Sequence, residues 1–141
     1  MRFVLTMGLA LLAGACAPPD PIRSIDILFP TPDTDVIPLD EDGILRTLVV
    51  VDIEGFTVLE EGTADPDSTT EGHWHIYVND TYRGAVSDGF TTEVEETGIT
   101  DGQPISITVS LATDRHQDIE DEDGRIDSTI EFIAERTASA Q

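Results

Sequence analysis

Ile105-Ser106-Ile107-Thr108-Val109-Ser110-Leu111 decides the fold class. Every second side chain is a large aliphatic, and every side chain between is a small hydroxyl. An extended chain, with its side-chain period of two, sends these two sets to opposite faces, so the stretch predicts a strand with one face in a core. The same repeat recurs along the chain. Ile25, Ile27 and Phe29 alternate within residues 24–29. Trp74, Ile76 and Val78 alternate with His73, His75 and Tyr77 within residues 73–78. Ile126, Ile130 and Phe132 point inward from residues 125–133. Residues 44–58 are apolar on both faces around Leu48-Val49-Val50-Val51, which predicts a central strand bent at Gly55. Asn79-Asp80 predicts a tight turn, with residues 81–87 returning as a hairpin, and residues 90–95 read as a short acidic strand. Asp42-Gly43, Asp88-Gly89, Asp101-Gly102 and Asp123-Gly124 punctuate the runs. Only residues 131–136 compete as helix, and that stretch is too short to change the class.

About seven short strands without a convincing helix predict an all-β domain, an antiparallel β-sandwich over residues 23–136, with a flexible tail at 137–141. The strand order resembles immunoglobulin-like and fibronectin-III-like modules. Trp74, inward on a middle strand, stands where such sandwiches place a core aromatic. The antibody-type disulfide has no counterpart, because the chain has one cysteine.

That cysteine has its own setting. Arg2 precedes a short apolar run over residues 3–12, then the small residues Ala13-Gly14-Ala15, then Cys16. The run falls short of the roughly 20 residues that span a bilayer and has the shape of a secretory signal. The segment resembles the lipobox of bacterial lipoproteins, with Ala13 where leucine is usual. The resemblance implies a signal peptide at residues 1–15 and acyl chains (palmitate among them) on Cys16. It also implies a membrane partner reached through the lipid anchor and a place in the bacterial cell envelope. Ala17, where an aspartate would signal inner-membrane retention, points to the outer membrane. Pro18, Pro19 and Pro21 make residues 16–22 an extended tether. Length predicts a single domain beyond it.

Twenty-nine acidic residues face seven basic ones, all arginine, for a formal net charge of −22. Such a surface repels nucleic acid, attracts cations, and serves solubility or salt tolerance.

The chemistry-bearing residues are few. His73 and His75 are two apart on a strand, so their rings leave one face roughly 6–7 Å apart. Counting by twos from Ser106, the residues Ala112, Asp114 and His116 share the polar face of the neighbouring strand if it continues that far. His73, His75 and His116, with Asp114 as fourth or supporting ligand, would then meet at the edge of one exposed face. Three imidazoles and a carboxylate suit Zn(II) or Cu(II). The stretch Gly72-His73-Trp74-His75-Ile76-Tyr77-Val78-Asn79-Asp80 resembles a segment of exported bacterial β-sandwich domains of largely unassigned function. These carry a Gly-His-x-His strand ending in an Asp/Asn turn and a later Asp-x-His element, here Asp114-Arg115-His116. The resemblance implies the same fold and histidine cluster, but no activity. A His-x-His strand with a solvated polar face is the plainer alternative.

Calcium is the weaker metal candidate. Setting Gly124 at the sixth position of an EF-hand loop puts Ile119 and Ile130 where acids are required. No serine sits in a nucleophile elbow, no glycine-rich phosphate loop exists, and carboxylates are too numerous for one pair to stand out. Binding is therefore expected rather than enzymatic turnover. The alternative to a metal site is a structural or adhesive module that meets an envelope or extracellular protein.

Overall fold

The computed structural model describes residues 21–136. No helix occurs among them. The strands are β1 (Ser24–Phe29), β2 (Val36–Leu39), β3 (Leu45–Glu54), β4 (Thr57–Val58), β5 (Glu71–Val78), β6 (Thr81–Val86), β7 (Thr91–Glu96), β8 (Gln103–Ala112), β9 (Glu120–Asp121), β10 (Gly124–Arg125) and β11 (Asp127–Arg136).

β1, β3 and β7 pair side by side, with β3 in the middle. β11, β8, β5 and β6 form the facing layer in that order. β1 packs across the interior against β11 and β8. β2 joins the layers, pairing Leu39 with Leu45 of β3 and its whole length with β11. This is an immunoglobulin-like β-sandwich. The expectation of a purely antiparallel sandwich needs correction, because β2 runs parallel to β11 and β4 runs parallel to β5.

Between the layers lie Ile25, Leu45, Val49, Trp74, Ile76, Ile105, Ile107, Val109, Leu111 and Phe132, all buried. They are the inward halves of the period-two runs. Burial at about 25 cal/mol per Å² of apolar surface is what favours the closed sandwich over the extended chain. The Trp74 indole, fully buried, also donates to the Gly89 carbonyl at 2.9 Å, so its one polar atom is satisfied.

The bend at Gly55 is a change of sheet. β3 ends at Glu54, Gly55 takes φ +64°, and β4 starts alongside β5 in the other layer. A Cβ on Gly55 would lie 2.0 Å from the Ile22 carbonyl oxygen, so the crossing is open only to glycine. Asn79 and Asp80, both at positive φ, form the tight turn joining β5 to β6. The 131–136 stretch is strand, held by pairing with both β8 and β2.

Candidate metal centre

β5 and β8 run antiparallel with His73 opposite Ala112, His75 opposite Ser110, and Tyr77 opposite Thr108. These residues share the face turned away from the core. That face was expected to be open, yet His73 is 0% and His75 3% exposed. Two loops cover it. Residues 113–117 turn back on themselves, with Thr113 N–H donating to Gln117 O and His116 N–H to Thr113 O. The segment after β4 meets that turn. Gly62 N–H donates to both Asp114 oxygens at 2.9 and 3.1 Å, and Arg115 pairs with Asp67 at 2.9 Å.

The turn corrects the route by which His116 arrives. β8 does not continue as a strand to residue 116. It ends at Ala112, and the chain reverses so that Ala112 bridges Asp118. His116, at φ +59°, is the left-handed residue of this reversal. Its ring folds over the sheet, with its centroid 4.5 Å from that of His73 and 5.5 Å from that of His75. Asp114 lies beside this cluster with its carboxylate engaged by Gly62, clasping the two loops together.

One nitrogen each from His73, His75 and His116 lie within 4.8 Å of one another. His73 Nε2 is 3.1 Å from His75 Nε2, which is 3.4 Å from His116 Nδ1. Ligands about 2.05 Å from a tetrahedral zinc stand roughly 3.3 Å apart, so the His73–His75 and His75–His116 separations are close to those of a metal-bound pair.

The outer nitrogens fix the tautomers of two rings. Asp118 Oδ1 is 3.2 Å from His75 Nδ1, and a carboxylate accepts, so His75 carries its proton on Nδ1. Glu61 Oε1 is 2.9 Å from His116 Nε2, which places that proton outward too. The inner atoms, His75 Nε2 and His116 Nδ1, then present lone pairs to each other. Two acceptors facing across 3.4 Å do not bond to each other: His75 Nε2 is free to accept from His73 Nε2 at 3.1 Å, or both lone pairs can turn to one cation. A carboxylate behind a ligating imidazole is the usual support of a metal-bound histidine. His73 has no such carboxylate, and its Nδ1 is buried without a partner.

Burial holds the pKa of His73 and of His75 below the ordinary histidine value. For His73 the neighbouring imidazoles add to that, and for His75 Asp118 opposes it. Both rings are therefore neutral near pH 7, the form that binds metals.

Asp118 is the residue that sequence reasoning missed. It also accepts from Ser110 Oγ at 2.8 Å, from the Tyr77 hydroxyl at 3.3 Å and from Arg125 at 3.4 Å. These donors outweigh its desolvation and hold its carboxyl below the usual range. The signal in the sequence is slight: Asp118 opens the acidic stretch 118–127, where carboxylates are too numerous for one to stand out. Ile119, buried beside it, is what pins it in place by donating to Leu111 O. Glu61 and Tyr82 were missed as well, having no pattern to mark them.

Gly72 explains the glycine of the Gly-His-x-His stretch. A Cβ there would lie 2.3 Å from the Ala112 carbonyl oxygen, at φ +153°. Its absence lets β8 and the start of the reversing turn press against β5, next to His73. Cys16 lies outside the described residues.

The chain matches no protein-family model and no curated protein. Among solved structures it is similar to the CARDB domain of a Pyrococcus furiosus protein, a crystal structure in complex with di-metal ions. The two share 13% identity with a TM-score of 0.46, over 86% of this chain and 100% of that chain.

Proposed function

We propose that this domain binds a divalent transition metal through His73 Nε2, His75 Nε2 and His116 Nδ1. The single observation behind the reading is the pair of carboxylates, Asp118 and Glu61, which turn the ring protons outward and leave lone pairs converging. Nitrogen donors favour Zn(II) or Cu(II) over calcium. Asp114 serves as a clasp that positions the Glu61 segment and the His116 turn, one step removed from the metal. The role is binding rather than turnover. Acyl chains on Cys16 would hold the site at the bacterial envelope, most simply at the outer membrane. A fatty-acid label on the wild-type chain that is lost in Cys16→Ser supports this anchor, and an unlabelled soluble chain refutes it.

The metal is tested by calorimetric titration of the untagged full chain with Zn(II) and Cu(II), in excess calcium to mask surface carboxylates. One tight equivalent is expected, lost in His73→Ala/His75→Ala. Equal affinity in wild type and double variant removes the reading.

A further inference from the structure

Beside the three histidines is an open hollow of about 470 Å³, lined by His75, Tyr77, Tyr82 and His116. Two of its walls are thus the rings of two proposed metal ligands, the pair whose inner nitrogens lie 3.4 Å apart. The other two are phenol rings. Tyr82 stands edge-on to His75 at 5.1 Å and to Tyr77 at 5.7 Å, and it is 47% exposed. Resting on the metal reading, we infer that this hollow admits an external fourth ligand to the metal, a neutral, flat nitrogen heterocycle of the imidazole class.

Three features select that chemistry. The protein supplies three nitrogen donors, and the nearby carboxylate of Asp114 is held by Gly62, which leaves one position of a tetrahedral set for an incoming ligand. The walls are aromatic and match a flat ring, for which edge-to-face contacts are favourable. Glu61, and Asp118 in its pairing with Arg125, stand behind the ligand rings within a chain of net charge −22 and offset part of a divalent metal's charge, so an anion gains less there than at a bare ion, while a neutral donor loses nothing. Coordination needs no redox step: the heterocycle nitrogen gives its lone pair to the metal and displaces bound water.

The test uses the untagged full chain loaded with Co(II), whose visible spectrum reports coordination. Adding imidazole is expected to shift the bands saturably without releasing cobalt, whereas azide at equal concentration shifts them far less. Tyr82→Ala, measured on protein saturated with Co(II), should weaken imidazole by about threefold to tenfold, since the phenol lines the hollow and gives no atom to the metal. Blocked histidine, N-acetyl-histidine amide, is run beside imidazole to separate a hollow that takes the ring on a chain from one that takes only the free ring. Cobalt bound but indifferent to imidazole overturns the inference and leaves the metal reading standing. So does imidazole that merely strips the metal, azide that binds as well, or a Tyr82→Ala chain that binds imidazole unchanged. No cobalt uptake at all defeats the metal reading itself.

Discussion

β3 and β5 are both central strands, and they bury themselves differently. β3 alternates: Leu45, Thr47, Val49 and Val51 are inside, while Arg46, Leu48 and Asp52 are in solvent. β5 is buried from Gly72 to Ile76 on both faces, although His73 and His75 occupy the outward one. The outer face of β3 is left to water; that of β5 is roofed by two loops that hydrogen-bond to each other. Covering polar rings costs desolvation unless they gain partners. Two loops cover the imidazoles of β5 and carboxylates back two of them, and the proposed metal site rests on that cover. The same contrast separates Asp118 from Asp121 and Asp123: the former takes donors from four side chains, while the latter sit in an exposed turn.

Five outcomes sharpen or break this comparison. The largest lies on the inner face of β5. Trp74→Ala should cost about 3–5 kcal/mol of stability by denaturant unfolding, since it opens a cavity and orphans the Gly89 carbonyl. On the outer face, Zn(II) at a hundredfold excess over its dissociation constant should stabilise the wild-type chain by about 2.7 kcal/mol, with no effect on His73→Ala/His75→Ala, read as a Tm shift. Asp118→Asn should weaken zinc by about 10- to 100-fold in calorimetry, because the amide no longer fixes the His75 tautomer, while Arg46→Ala on the solvent face of β3 leaves zinc affinity unchanged.

The pH dependence follows from the lowered values of His73 and His75. Their folded pKa values lie below the unfolded value near 6.5, so their contribution is present above that pH and is lost as pH falls through the folded values. The metal-free chain should therefore lose urea resistance between pH 7.5 and pH 5, and His73→Ala/His75→Ala should lose less over that window. A double variant whose midpoint moves with pH just as the wild type's does would contradict the buried neutral rings. The smallest effect belongs to the acidic turn: Asp121→Asn/Asp123→Asn should change stability by no more than about 0.5 kcal/mol and leave zinc affinity untouched.

Much of the sandwich was legible because alternation is local. β8 and the Asn79-Asp80 hairpin follow from side-chain period and turn chemistry alone. β2 was not legible: Val36–Leu39 contains Pro38, and it is ordered by parallel pairing with β11, which is far away in sequence. The histidine cluster was legible in its members and not in its route. His-x-His fixes two rings on one face, but His116 arrives through a reversal that no periodicity announces. Asp118 carries no signal of its own in the sequence, because its place is set by the inward turn of Ile119.

Anomalous X-ray diffraction from a crystal of the chain grown with Zn(II) tests the central claim most directly. The account predicts one strong peak about 2.0–2.1 Å from His73 Nε2, His75 Nε2 and His116 Nδ1. Zinc scattered over surface carboxylates, with the three rings bonded to one another and no peak between them, would contradict it.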